Sequence, residues 1–483
     1  MNATEILLIL IGYFAVLIAI ARITARKSNN TSFYTGDRKS PWFLVAFGMI
    51  GASLSGVTFL SVPGWVASSH FGYLQTVLGY MVGYLVIAHV LIPLYYRQKL
   101  TSIYTYLEHR FGTTSYKTGA AYFLLSRVIG ASFRLFLVAG VLHAYVFEPF
   151  GLPYWSTVAM TITLIFLYTS KSGIKTVVYT DALQTACMLL AVVLTLSFIP
   201  TDLGWSWNET WSHLLQDPNT QVFHWEGNSS NVFWKQFLGG AFIALAMTGL
   251  DQDMMQKNLS INSIRNAQKN IYIQMGLFIV VNLVFLTLGA LLYTYLGEKG
   301  LQFDGKSDQL FSFIAMQQAT PIVSMAFIIG LVAAAYSSAD SALTALTTSF
   351  CIDFLGYERT KPTDIRTRRL VHIGFACILF LTIIVFDMIN NDAVIKELFR
   401  AAGFTYGPLL GLFAFGILTQ NKITDRYVIY ITLISIGLTS VYFYGMPYVI
   451  SGFEAGFELI IINGLLTYLL LLANSQYLKK QHT

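Results

Sequence analysis

The sequence predicts an all-α fold: a polytopic membrane bundle of about 13 transmembrane helices. Apolar residues make up 55% of its 483 residues and charged residues only 11%, whereas a typical soluble domain is roughly 25% charged. The charges stand in short clusters between apolar stretches of about 20 residues, the length with which a helix crosses a hydrocarbon core. A membrane β-barrel would instead show segments of about ten residues with alternating polarity. The composition therefore excludes a soluble globular protein.

Apolar stretches between charged breaks define the candidate spans, which we number from first to thirteenth. They cover residues 5–22, 41–68, 72–95, 117–147, 154–170, 176–200, 233–256, 270–297, 310–354, 368–388, 394–419, 427–444 and 456–475. The fourth and ninth are too long for a simple crossing, so we expect each to include an interfacial or re-entrant piece. We expect one transmembrane domain over residues 1–483, with its core at about 41–420.

Lysine and arginine predict the orientation. With the N-terminus outside, the inner loops hold most of the 30 basic residues, Lys257 among them. The outer side keeps Lys235, Lys299, Lys306, Lys396 and Arg400. This asymmetry follows the positive-inside rule, so we expect a plasma (inner) membrane protein with a cytoplasmic C-terminus. The net charge of +6 is spread over these loops, and we expect no nucleic-acid partner and no obligate protein partner.

Enzymatic and sensory functions find little support in the sequence. The three cysteines, Cys187, Cys351 and Cys377, lie in or at the ends of apolar stretches and are interpreted as free packing thiols. Motifs such as HExxH, Walker A and GxSxG are missing, and the eight histidines are scattered. A membrane sensor would need a soluble signalling domain, and only a short tail follows the last span.

Spans two to six and seven to eleven can be laid against each other as two five-helix halves. Each half opens with a helix interrupted by glycine or proline, the first between Gly48 and Gly64 and the second between Gly239 and Asp253. Because five is odd, the two halves start from opposite sides of the membrane. This is the pattern of an inverted repeat, in which paired broken helices indicate a binding site near the membrane midplane.

The stretch Gly51–Thr58 (GASLSGVT) carries three hydroxyls and two glycines in the middle of the second span. A helix broken there would free backbone carbonyls and amides, which is tolerable in a membrane only where they line a cavity or bind a ligand. The alternative is a seam of small residues that lets two helices approach closely. Pro63 favours a real break.

A polar stripe runs along one face of the ninth span. Residues 337, 340, 341, 344, 347 and 348 are Ser, Thr or Asp at helical spacing. Hydroxyls and carbonyls suit sodium, a hard cation that prefers oxygen ligands. Hydroxyls that bond back to the preceding turn explain single positions, but they do not explain the carboxylate of Asp340, which is costly inside a membrane.

Three further charged residues fall in spans. Asp181, at the inner mouth of the sixth span, could bind a cation or be a helix-start carboxylate favoured by the helix dipole. Arg127 and Arg134 lie two turns apart on one face of the fourth span. Each could bind an anionic substrate or belong to a structural ion pair.

Taken together, these residues resemble the sodium:solute symporter family, which has a LeuT-type inverted-repeat fold. The resemblance runs from about residue 32 to residue 420. Its pieces are FYTGDR at 33–38, SGVTFLSVPG at 55–64, the Tyr179–Asp181 element, DQDMMQK at 251–257, the Ser337-Ser338 pair and FTYGPLLG at 404–411.

The resemblance implies a sodium site between the second and ninth spans. Its ligands would be the carbonyls of Gly51, Leu54 and Ala334 and the hydroxyls of Ser337 and Ser338. Some members bind a further sodium where this chain has Asp181, Asp340 and Ser341. Substrate contacts would come from Ser53, Ser55 and Thr58, with Arg134 near an arginine found in members that carry sialic acid.

We therefore expect a secondary active transporter in the lipid bilayer, with sodium as the coupling ion and a small polar organic solute as substrate. The solute could be a carboxylate or an acidic sugar such as sialic acid, or a neutral sugar or polyol. The same fold with proton coupling at Asp181 and Asp340 is the main alternative. No enzymatic activity is expected.

Overall fold

Helices form almost all of the described chain. The structure, a computed structural model, describes residues 2–25, 30–170, 173–227, 229–357, 364–389 and 394–481. Its long helices coincide with the predicted spans, which confirms the helical membrane fold. They are Ala3–Ala25, Trp42–Ser69, Tyr73–Val86 continued by Ile92–Arg97, Thr113–Leu142, Tyr154–Thr169, Ile174–Leu203, Phe233–Ala244 with Gln252–Leu259, Ile264–Lys299, Pro321–Ser349, Ile365–Ile389, Val394–Leu418, Val428–Val449 and Leu459–Gln481. Within the described residues, ten helical stretches are long and apolar enough to cross a membrane, and one of them, Trp42–Arg97, contains two spans.

The two overlong spans behave differently. The ninth is preceded by a separate short helix, Leu310–Phe313 with a π-helical turn to Gln318, and the spanning helix begins only at Pro321. The extra piece predicted there is confirmed. The prediction for the fourth span is wrong, because Thr113–Leu142 continues without a break through a π-helical turn to Phe147. Its excess length is one long helix.

The packing of the spans follows the predicted two-half repeat. In the repeat, the second span corresponds to the seventh and the third to the eighth. The second span packs on the eighth, and the seventh packs on the third in the same way. The sixth packs on the ninth, and correspondingly the eleventh packs on the fourth. Spans one, twelve and thirteen flank this core. The matching pairs support five plus five helices related by an internal symmetry.

Both predicted helix breaks are present. In the second span Ser55 has φ 48° and ψ 175°, which interrupts the helix in its middle. In the seventh span Phe233–Ala244 ends in a π-helical turn, the chain is extended at Asp251, and a second helix runs over Gln252–Leu259. The Asp251 carboxylate caps this second helix by accepting hydrogen bonds from the amides of Asp253 (2.8 Å) and Met254 (3.2 Å).

Glycines set the contact between the third and seventh spans. A Cβ atom on Gly79 would lie 2.0 Å from the carbonyl oxygen of Phe237, and one on Gly240 would lie 2.2 Å from that of Thr76. Neither position has room for a larger side chain. The close backbone approach fixes the first half of the broken seventh span, Phe233–Ala244, against the third span.

The Trp-rich segment between the sixth and seventh spans holds the helix Trp207–Gln216. It begins with a capping box in which Ser206 and Glu209 satisfy each other's backbone amides. Trp207 and Trp211 are more than half exposed. This exposure fits tryptophans that lie at a membrane interface better than a lid closed over the bundle.

Candidate functional site

The two helix breaks face a cavity at the centre of the bundle. Its volume is about 60 Å³, and its walls come from the second, third, fourth, seventh, eighth and eleventh spans. Ser53, Ser55, Thr58 and Arg134, the four residues expected to contact substrate, all line it. A cavity of this size holds only water-sized groups, so a sugar-sized solute requires the walls to move apart. We call it the central cavity.

Arg134 presents unused hydrogen-bond donors to the central cavity. The residue is 6% exposed, and its Nε and Nη1 atoms have no hydrogen-bond partner among the described residues. Within the same residues no carboxylate forms an ion pair with it. A buried guanidinium without partners is costly. An anion in the cavity would satisfy it.

Arg127, two turns away on the same span, has the opposite environment. Its guanidinium contacts the carboxylate of Asp253 and lies 3.8 Å from that of Asp251. Asp251 also accepts a hydrogen bond from the Tyr406 hydroxyl. The sequence left both roles open for both arginines. The structure places Arg127 in an ion pair and Arg134 at the cavity.

The carbonyls freed at the seventh-span break are already hydrogen-bonded. The hydroxyl of Tyr95 donates to Gly249 O and that of Tyr104 to Leu250 O, each at 2.9 Å. At the second-span break, the amide of Gln274 donates to Ser53 Oγ at 3.1 Å. The sequence did not indicate these tyrosines, because a buried tyrosine has no signature that separates it from a packing residue.

The residues expected to bind sodium lie buried where the second and ninth spans meet. Ser338 Oγ is 3.4 Å from the carbonyl oxygen of Ala52 and 3.5 Å from that of Ala334. Gly51 packs against the sixth span, where an added Cβ would meet Thr185 Oγ1 at 2.1 Å. The carbonyl that Ser338 reaches is thus that of Ala52, one residue after Gly51. Leu54 is buried in the same turn, just before the break. Backbone carbonyls carry no residue-type signal, so the sequence could not separate these neighbours.

Ser337 connects this place to a buried ion pair. Its hydroxyl donates to Asp181 Oδ1 at 2.9 Å, and Lys257 Nζ lies 2.7 Å from Asp181 Oδ2. Both charged side chains are 1% exposed. The sequence placed Lys257 in an inner loop, which is wrong: the half-helix Gln252–Leu259 packs inside the bundle, where Asp181 neutralises the lysine.

The residues expected to form a second ion site point to different neighbours. Asp181 has Lys257 and Ser337. Asp340 Oδ2 accepts a hydrogen bond from the Tyr168 hydroxyl at 2.9 Å, while its Oδ1 has no partner among the described residues. Ser341 donates to Asp253 Oδ2 at 3.1 Å. Among the described residues, both oxygens of Asp181 thus have partners, whereas Asp340 and Asp253 each keep one oxygen without a hydrogen bond.

Comparison with known proteins relates most of the chain to one family. The model of the sodium:solute symporter family matches residues 33–425. The chain is 28% identical to the sodium-dependent multivitamin transporter of Oryctolagus cuniculus over 399 residues, 79% of this chain and 60% of that protein. It is 24% identical to the sodium/sialic acid symporter NanT of Aliivibrio fischeri over 427 residues, 85% of this chain and 82% of that one. This chain thus spans about 60% of the length of the multivitamin relative.

A solved structure shares the fold over nearly the whole length. It is a Na⁺-coupled sialic acid symporter in a substrate-bound, outward-open state, with a TM-score of 0.85 and 19% sequence identity over 98% of both chains.

Proposed function

We infer the function from one premise: the chain belongs to the sodium:solute symporter family. We propose that it is a secondary active transporter that uses sodium to move a small polar organic solute into the cell by alternating access. The observation that carries the proposal is Arg134, which is buried, has no partner among the described residues, and lines a cavity shared by the two broken helices. Such transport involves no covalent chemistry, so we assign no enzymatic activity.

Sodium is proposed to bind between the second and ninth spans. Oxygen atoms that could bind a cation meet where these two spans pack together. They are the hydroxyls of Ser337 and Ser338 and the carbonyls of Ala334 and of the Gly51–Leu54 turn. In a low-dielectric site, a cation that has lost some of its oxygen ligands binds far more weakly than one with the full set. The double variant Ser337→Ala, Ser338→Ala should therefore lose sodium stimulation of uptake in proteoliposomes while it still folds.

Ser324→Ala is the matched control for the serine pair. Ser324 is a buried serine on the same span that bonds the Ala315 carbonyl at 2.7 Å, away from the cavity. Its sodium dependence should equal that of the unaltered protein. Unchanged sodium stimulation in the double variant would refute the site.

The substrate is proposed to be an organic anion, a carboxylate or an acidic sugar such as sialic acid. The guanidinium of Arg134 can bind a carboxylate with two parallel hydrogen bonds, and Ser53, Ser55 and Thr58 supply hydroxyls around it. Relatives named for sialic acid support this class. Lysine keeps the charge but loses the planar fork, so Arg134→Lys should reduce affinity about tenfold or more, equivalent to roughly 1.4 kcal/mol.

Competition assays test the substrate class directly. Sialic acid or a monocarboxylate such as lactate should inhibit uptake in the unaltered protein, and Arg134→Lys should weaken that inhibition. Competition by neutral sugars alone would show that Ser55 and Thr58 serve a neutral ligand.

The carboxylate of Asp340 supports the proposal that a second coupling cation binds. Its free oxygen is buried beside the Ser341 helix turn, whereas Asp181 already holds the ammonium of Lys257. If a second sodium binds Asp340, sodium activation should be cooperative and Asp340→Ala should lower the Hill coefficient toward one. A carboxyl group buried without a counter-ion can also carry a proton. Uptake that persists without sodium and follows a pH gradient would favour proton coupling.

The proposed setting is the plasma (inner) membrane, with the chain as one transmembrane domain and the N-terminus outside. The basic residues of the loops support this orientation. A membrane-impermeant thiol reagent should label a cysteine placed at exposed Trp207 in intact cells, and should fail to label one placed at exposed Arg366.

A further inference from the structure

Two histidines from different loops meet on the face of the bundle that holds the N-terminus. His70 directly follows the helix Trp42–Ser69, which is the second span, and His224 lies in the segment before the seventh span. Their ring centroids are 5.6 Å apart, and the ring planes are inclined by 29°. We call these two residues the histidine pair. Neither of them lines the central cavity, so the pair is separate from the proposed substrate site.

Each ring of the histidine pair has a buried nitrogen atom without a partner. Nδ1 of His70 and Nε2 of His224 form no hydrogen bond with the described residues. The other nitrogen of His224 is occupied, because the ring is hydrogen-bonded to the backbone of Gln221. A neutral imidazole that donates from Nδ1 to a backbone carbonyl keeps its lone pair on Nε2. This is the arrangement in which histidine binds a metal ion, with the second nitrogen held by an outer hydrogen bond.

The backbone segments that carry the two rings are fixed to each other. Gln75 is fully buried. Its Oε1 accepts a hydrogen bond from the amide of His224 at 3.1 Å, and its Nε2 donates one to the carbonyl of Gly72 at 3.1 Å. The amide of Phe71 donates to the carbonyl of Gln221 at 3.1 Å. These bonds do not use the imidazole rings, so the positions of the rings are set before any ligand binds.

His70 has an unusual backbone conformation. Its φ is 51° and its ψ is −144°, a combination that residues other than glycine rarely adopt. A glycine here would avoid the strain, yet the residue present is the one whose ring meets His224. Strained residues of this kind occur preferentially where a side chain must hold a ligand.

The separation of the rings fits a shared metal ion. Zinc binds imidazole nitrogens at about 2.0–2.1 Å with tetrahedral geometry, so two imidazoles on one zinc ion have ring centroids about 5–5.5 Å apart. The observed separation of 5.6 Å is close to this range. Stacking of the two rings would account for the separation alone, but it would not account for an unpartnered nitrogen on each ring. Both residues are partly exposed, so water can complete the coordination.

We propose that the histidine pair is a binding site for a transition-metal ion such as Zn²⁺. Nδ1 of His70 and Nε2 of His224 supply two ligands, and water supplies the others. Imidazole suits Zn²⁺, Cu²⁺ and Ni²⁺, whereas Mg²⁺ prefers oxygen ligands. The bound ion joins the turn after the second span to the segment before the seventh span. This inference does not depend on the substrate or on the coupling ion.

Zinc titration of the full-length protein in detergent tests the site. The purification tag must be removed and bound metal extracted with a chelator. Zn²⁺ should then bind saturably and raise the thermal unfolding midpoint, whereas Mg²⁺ at the same concentration should not. His70→Gln and His224→Gln should each weaken zinc affinity about tenfold or more. His213→Gln is the matched control, because His213 lies in the same loop but stacks on Trp205, with ring centroids 4.2 Å apart. It should bind zinc like the unaltered protein.

A spectroscopic measurement on the unaltered protein identifies the ligands even if a variant fails to fold. Electron paramagnetic resonance with one equivalent of Cu²⁺ should show two imidazole nitrogens on the copper, and Zn²⁺ should displace it. A copper spectrum without two imidazole nitrogens overturns the site. Absence of saturable zinc binding, or equal zinc affinity in the unaltered protein and both histidine variants, overturns it as well.

Discussion

The buried pair of Lys257 and Asp181 should respond to mutation in a way that reports on cation binding. The Nζ–Oδ2 distance is 2.7 Å and both side chains are 1% exposed. At an effective dielectric constant of about 20, charges at this distance attract by about 6 kcal/mol. Desolvation offsets part of that, so removal of one partner from a buried pair costs about 3–5 kcal/mol.

Lys257→Met leaves the Asp181 carboxylate buried with only the Ser337 hydroxyl as partner. We expect this variant to lose about 3–5 kcal/mol of stability. The double variant Lys257→Met, Asp181→Asn should recover most of it, because neutral replacement of a buried pair is often tolerated. The pair Lys299–Asp202 is the matched control: its distance is 2.8 Å, but its side chains are 37% and 38% exposed. Lys299→Met should therefore cost less than about 1 kcal/mol.

Sodium should rescue the single variant. The carboxylate freed in Lys257→Met lies next to Ser337, so a sodium ion can take the place of the lysine ammonium. Thermal unfolding in detergent should then show a larger sodium-dependent stabilisation in Lys257→Met than in the unaltered protein, measured against choline. The double variant should lack this gain. Equal sodium effects in all three proteins would refute the view that Lys257 occupies a cation position.

Two further perturbations follow from the structure. Ser55 has a positive φ of 48°, a conformation that costs a non-glycine residue about 1–3 kcal/mol. Ser55→Gly should therefore raise the thermal unfolding midpoint, but it should weaken substrate affinity because the hydroxyl is lost. A lowered midpoint would contradict the inferred backbone strain. Burial and the neighbouring His70 hold the pKa of His224 below its usual value. The native state then binds fewer protons than the unfolded state. The stability that neutral His224 contributes is therefore present above the ordinary histidine pKa of about 6.5 and is lost as the pH falls below it. The protection of the amides of residues 221–227 against hydrogen exchange, relative to their intrinsic exchange rate at each pH, should fall in acid. In His224→Gln it should not.

The sequence predicted the two helix breaks because these depend on residue type. Glycine, proline and hydroxyl residues inside an apolar helix are unusual, and Ser55 lies at the first break. Arg134 lines the central cavity. Such residues can be recognised in the sequence because burying their polar groups in lipid costs free energy, and only a cavity or a ligand offsets that cost.

The partners of the buried charges could not be predicted. Asp181 meets Lys257, which is 76 positions away, and Asp340 meets Tyr168, which is 172 positions away. These contacts depend on how the half-helix Gln252–Leu259 and the fifth span pack, and hydropathy carries no information on rotation about a helix axis. The same limit explains Lys257, whose apolar neighbourhood is created by the tertiary fold and is not evident from the flanking residues.

The half-helix Gln252–Leu259 offers a physical route for coupling. Met254 lines the central cavity, while Lys257 on the same element bonds Asp181, which also accepts from Ser337 of the proposed sodium site. An ion at Ser337 and a solute beside Met254 therefore act on one short helix. That helix is separated from the first half of the seventh span by an extended residue at Asp251. Coupling needs an element whose position both ligands bias, and this half-helix contacts both proposed sites.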